Sequence, residues 1–125
     1  MSIDITKLKK NTKILVETED TVFEIKVTGP KSCVAEVHGG MKFIRPTRVT
    51  ISGAIDKRAL KSGGKKPLIK EKHIEKNRCI EFLYKKNGQT KDKIQSILIT
   101  SKVLSATVYS PDGKWSYDAI ERNKE

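Results

Sequence analysis

Val22-Phe23-Glu24-Ile25-Lys26-Val27-Thr28-Gly29-Pro30-Lys31-Ser32-Cys33-Val34-Ala35-Glu36-Val37 is the stretch whose reading decides the fold. Phe23, Ile25 and Val27 alternate with Glu24, Lys26 and Thr28, the period-2 pattern of a strand with one dry face and one wet face. Thr28-Gly29-Pro30-Lys31 breaks the ladder, because Gly permits an unusual φ and Pro supplies no donor. Cys33, Ala35 and Val37 then resume on one parity, with Glu36 and His38 on the other. The stretch reads as a β-hairpin. A half-buried hairpin is unstable alone and needs further strands over its apolar face.

The neighbouring sequence supplies them. Residues 1–11 form a basic lead-in, with Ile5 and Leu8 spaced for one helical turn and Asp4 near its start. Thr12 to Thr18 is a first strand, and Glu19-Asp20-Thr21 turns into the hairpin. Gly39-Gly40 makes a tight connection to a short fourth strand at Met41, Phe43 and Ile44. Pro46 is expected to end that strand or confine it to a sheet edge. A fifth strand carries Val49 and Ile51 and stops near Gly53. Five short strands on brief turns predict an all-β meander that curls into a small antiparallel barrel or a two-layer sandwich.

From Asp56 the composition changes. Between Lys57 and Arg78 there are nine cations (Lys57, Arg58, Lys61, Lys65, Lys66, Lys70, Lys72, Lys76 and Arg78) against Glu71 and Glu75 alone. Ser62-Gly63-Gly64 and Pro67 interrupt regular structure, so 56–78 is expected as a long basic loop inserted into the domain. Arg78 to Lys85 returns to strand, with Ile80, Phe82 and Tyr84 on one face. Asn87-Gly88 signals a hairpin turn, and its partner strand is placed from Ile94 through Ile99.

Val103 to Tyr109 is extended again, and Ser110-Pro111-Asp112-Gly113 is the clearest turn in the chain. Closed by a bulge, it would set Tyr109 opposite Trp115 and Thr107 opposite Tyr117, gathering Tyr109, Trp115 and Tyr117 on one face. Those rings either stand outside or close the core. Residues 119–125 are expected as a flexible tail on a single β-domain spanning 1–125.

The chain carries 26 Lys and Arg against 15 Asp and Glu, a formal net charge of +11. Such a surplus attracts nucleic acid, acidic protein tails or anionic headgroups, and equally can reflect a lysine-rich composition. No run approaches the ~18–20 apolar residues that span a bilayer, and the first residues hold no hydrophobic region of signal-peptide length. No membrane association is expected, and the expected address is the cytoplasm. There Cys33 and Cys79 read as two buried thiols, with a cross-strand disulfide as the alternative.

Cys33, His38, His73 and Cys79 lack the paired ligand spacing of a zinc site. Ser62-Gly63-Gly64-Lys65-Lys66 lacks the spacing of a phosphate-binding P-loop. There is no Gly-x-Ser-x-Gly elbow, no Cys–His pairing and no inward carboxylate pair. The expectation is therefore a non-enzymatic protein without cofactor or metal.

Two resemblances extend this reading. Residues 7–37, with Leu8, the strand at Val16 and the next two strands, resemble the opening meander of Sm-like and SH3-like barrels. The Sm pattern's second-strand Gly and its Asp/Asn RNA-contact turn are absent, so no RNA pocket is implied. Gly39-Gly40 with Phe43 and Pro46, Ile51-x-Gly53, Ile74 to Phe82 and Thr100-Ser101-x-Val103 are similar to a pattern in small uncharacterised bacterial β-domain proteins, over residues 12–108. That resemblance implies a single β-domain and assigns no site residue.

The function expected is an accessory binding protein that contacts nucleic acid or a nucleoprotein. The nine cations of 57–78 would clamp phosphates, and Tyr109, Trp115 and Tyr117 would stack on bases. The alternatives are a protein–protein adaptor or subunit docking on an acidic protein, and an inhibitor or host-interaction factor using the same basic surface.

Overall fold

The computed structural model describes residues 1–56, 68–85 and 96–122, and the described residues are almost wholly antiparallel strand. In chain order the strands are β1 (Ser2–Asp4), β2 (Thr12–Thr18), β3 (Val22–Gly29), β4 (Val34–Gly39), β5 (Phe43–Ile55), β6 (Leu68–Glu71), β7 (His73–Glu75), β8 (Cys79–Tyr84), β9 (Ser96–Ile99), β10 (Val103–Tyr109) and β11 (Ser116–Ile120). The main sheet runs β11-β10-β2-β3-β4-β5-β8-β9, with β6 also beside β5, while β1 and β7 pair as a separate ribbon. The all-β class and the meander from β2 to β5 follow the sequence reading.

The barrel does not form. Among the described residues no ladder joins β9 to β11, so the main sheet is open. The reason lies at β10, whose one edge pairs with β2 while β11 covers the other from Ala106 to Tyr109. Val103, at the start of β10 and outside the stretch that β11 covers, donates its N–H to Arg78 O and accepts from Asn77 N–H. The sheet thus coils back to touch itself at the β7–β8 turn without closing.

A single apolar cluster lies along the inner face. Ile14 and Val16 of β2, Phe23, Ile25 and Val27 of β3, Ala35 and Val37 of β4, and Val49 and Ile51 of β5 meet Ile80 and Phe82 of β8. Val103, Ala106 and Val108 of β10 join them. Phe23, Phe43 and Phe82 pack edge-to-face, with ring centroids 5.7–6.4 Å apart. Burying one such side chain stabilises the fold by roughly 1.5–3 kcal/mol. Ile3, Ile5 and Ile74 bring the β1–β7 ribbon into the same cluster.

Several local expectations give way to the tertiary structure. The fourth and fifth strands are one, because Pro46 falls in the irregular stretch of the β4–β5 ladder between Gly39↔Phe43 and Val37↔Thr47, where a missing donor does no harm. Ile5–Lys7 is a single 3-10 turn capped by Asp4, whose carboxylate accepts the Thr6 N–H. Cys33 lies just before β4 at φ 58, closing a 3-10 turn over Pro30–Ser32, with its side chain still in the core. Of the expected basic loop, 68–71 and 73–75 form β6 and β7, because Ile74 is drawn into the core. Lys57, Arg58, Lys61, Lys65 and Lys66 lie outside the described residues, as do the Asn87-Gly88 turn and residues 123–125 of the expected tail. Ala119 and Ile120, placed in that tail by sequence, complete β11, and Ile120 is buried.

Two glycines are required by contact. At Gly53 (φ 143) a Cβ would sit 2.4 Å from Lys70 O, and at Gly39 (φ 144) it would sit 2.4 Å from Val22 O. Gly53 is therefore what lets β6 lie against β5.

Candidate polyanion-binding surface

The terminal hairpin is built on Ser110. Its buried hydroxyl donates to Asp112 Oδ1 (2.8 Å) and accepts the Trp115 N–H (3.1 Å), while Asp112 Oδ1 also accepts the Lys114 N–H (3.0 Å). The Lys114 amide and the Ser110 hydroxyl hold the Asp112 carboxyl below its ordinary pKa. Ser110 N–H donates to Trp115 O, so Ser110 stands opposite Trp115 and the register is shifted by one residue from the one the sequence suggested.

That one residue changes the face each ring occupies. Tyr109 pairs with Ser116 and Val108 with Tyr117, so Tyr109 and Tyr117 point to opposite sides of the sheet. The expected three-ring face is corrected to a pair plus one. Trp115 and Tyr117 stack at 5.8 Å with an interplanar angle of 23°, each 49% exposed. Tyr109, 37% exposed, lines a groove on the other face. None of the three closes the core.

The described members of the basic segment stand on β6 and in the β6–β7 and β7–β8 turns, not on β11. Lys70 is exposed and donates from Nζ to Ser2 Oγ (3.3 Å). Lys72 turns the chain between β6 and β7 at φ 59, its N–H bonded to Ser52 O and its carbonyl to Ile5 N–H. Lys76 and Arg78 are half-buried, and Arg78 Nη1 donates to Asn77 O (3.5 Å). Beside them His73 Nδ1 lies 2.6 Å from Glu71 O, and its Nε2 is 3.7 Å from the Asp4 carboxylate. The Thr6 hydroxyl, with help from the Thr6 amide, His73 and Lys7, lowers the Asp4 pKa. The four described cations of the expected clamp thus stand against the body of the protein. The structure does not bring these cations and the aromatic pair together on one element.

Two grooves mark the outer face of the main sheet. The first, about 410 Å³, crosses β2, β3 and β4, where Lys13 and Lys26 are balanced by Glu24 and Glu36, with His38, Leu15 and Tyr109 alongside. The second, about 690 Å³, lies where β5 extends past β8 and is lined by Arg45, Thr47, Arg48, Thr50, Tyr84 and Lys85, with no carboxylate among its described lining residues. Sequence reasoning passed over this second set. Arg48 and Thr50 carry the wet-face parity of a strand, but that β8 stops at Tyr84 beside them is not a local property.

Among the described residues, no three His, Cys, Asp or Glu side chains come close enough to hold a metal ion. Cys33 and Cys79 are both buried, and burial pushes the Cys33 pKa up. No described helix is long and apolar enough to cross a membrane. The chain matches no protein-family model, no curated protein and no solved structure.

Proposed function

We propose that this chain is a non-enzymatic accessory domain that binds single-stranded nucleic acid, stacking bases on Trp115 and Tyr117 while cations elsewhere on its surface neutralise phosphates. The observation that carries the reading is the Trp115–Tyr117 pair: two rings already parallel and half-exposed on a hairpin fixed by Ser110 and Asp112. Base–aromatic stacking contributes about 1–3 kcal/mol per base and tolerates any sequence, because every base has a π-face. The net charge of +11 supplies long-range attraction for such a ligand. The proposed place of action is the cytoplasm, where the thiols of Cys33 and Cys79 stay reduced.

Trp115 is the chain's single tryptophan, so its emission reports on the site without labelling. Titration with oligothymidylate should quench it, and the affinity should fall steeply as salt rises. Unchanged emission and no gel shift with either DNA or RNA at about 100 mM salt would remove the reading.

One observation favours a protein partner instead. Met41 is 91% exposed, and Ile44 and Val22 are exposed too, all at the β2–β3 and β4–β5 turn end of the meander. An adaptor would bury these side chains against its partner. A pull-down with and without nuclease separates the two: a polypeptide retained after nuclease supports the adaptor.

A further inference from the structure

We propose that the step where β8 stops short along β5 is a phosphate-binding groove for the backbone of a single-stranded nucleic acid. β8 pairs with β5 from Cys79↔Ile55 to Tyr84↔Val49, whereas β5 begins six positions earlier, at Phe43. Past Tyr84, no described strand lies beside that edge of β5, and Arg45, Arg48 and Lys85 come together there.

The charges that line the groove are positive, with Glu36 standing across the β4–β5 ladder from Arg48. Among the described residues no carboxylate lines it, and no ion pair joins Arg45 or Arg48 to a described acidic residue. The first groove on the same face matches its lysines with glutamates, so exposure alone does not produce such an imbalance.

The type of cation points the same way. The chain uses 5 Arg against 21 Lys, yet two of those arginines stand three positions apart on this one strand. A guanidinium grips phosphate through two parallel N–H donors, which an ammonium cannot do. The wall beneath them is fixed: the Tyr84 ring packs edge-to-face on Phe43 (5.2 Å), and Thr47 Oγ1 donates to Arg45 O (2.9 Å). The Thr50 hydroxyl adds a neutral donor of the kind that often meets backbone phosphate oxygens. The choice of a nucleic acid as occupant rests on the reading of Trp115 and Tyr117 given above. The phosphate chemistry rests on the groove alone.

The test compares wild type with the double variant Arg45→Gln/Arg48→Gln, titrating a labelled oligothymidylate of about 15 nucleotides across a salt series. Both side chains are exposed, so the variant should melt like the wild type. Binding should weaken about tenfold or more, and the log–log salt slope should become shallower by about 1.4, two single-strand phosphate contacts. Wild-type affinity and slope in the double variant would overturn the groove and leave the stacking reading standing. If the wild type does not bind the oligonucleotide, inorganic tripolyphosphate decides. Shifts of the Arg45 and Arg48 Nε–Hε resonances then keep the anion site and remove nucleic acid as its occupant, and no shifts remove both.

Discussion

Phe23, Phe43 and Phe82 come from three different strands and meet edge-to-face, with Tyr84 against Phe43 at the rim, while Trp115 and Tyr117 come from one short stretch and lie nearly parallel. The first group joins β3, β5 and β8 across the core, and each ring there is part of what makes those strands one sheet. The second group links nothing distant. Its partner ring is two positions away, and half of each surface faces water. Similar side chains therefore serve the fold in one place and remain available to a ligand in the other, and only the placement separates them.

The largest effect that would test this contrast is on the buried side. Phe82→Ala should cost about 3–5 kcal/mol in denaturant unfolding, the lost transfer energy plus the cavity left between Phe23 and Phe43. A cost under about 1 kcal/mol would mean the three rings do not act as one packed unit. Next comes the seam that carries Phe82's sheet neighbour: Gly53→Ala should destabilise by about 1–3 kcal/mol, because its φ of 143 and the Lys70 carbonyl leave no room for a Cβ. A thermal melt reads it directly, and an unchanged midpoint would contradict the close β5–β6 approach.

On the exposed side the expected changes shrink. Ser110→Ala should cost about 1 kcal/mol and change the Trp115 emission, since the hydroxyl fixes both the loop and the Trp115 amide. Trp115→Ala should change stability by less than about 1 kcal/mol while weakening binding in an assay of labelled strand. A large loss of stability there would return the pair to the scaffold. The smallest effect is on acidification. The folded-state pKa of Asp112 lies below its unfolded value, so its contribution is present above the unfolded pKa and is lost as pH falls through the folded one. The Lys114 amide resonance should move in that acid window, and Asp112→Asn should remove the movement.

Alternation made the class and the first meander legible: Phe23, Ile25, Val27, Ala35 and Val37 all point inward as their parity requires. What parity cannot carry is which strand lies beside which. The neighbour of β2 is β10, far along the chain, and β11 on the other edge of β10 leaves the sheet open. The candidate site failed at the scale of one residue. Ser-Pro-Asp-Gly announces a turn, yet whether Ser110 or Tyr109 closes it depends on a buried hydroxyl network that composition does not reveal. Pro46 misled for the opposite reason, since a breaker in sequence is harmless where the ladder is already irregular.

The pairing of β10 with β2 also has a kinetic meaning. Ser105 Oγ donates to Glu17 Oε1 across a sequence separation of 88 residues. Loops of that length close slowly, and contacts that need them are made after the local hairpins. The β2–β5 meander can assemble from neighbouring segments while the outer rim of β2 stays bare. Until the 103–109 segment arrives, that rim can template pairing with another chain. Crowded or overexpressed polypeptide should therefore lose yield to aggregation at this step.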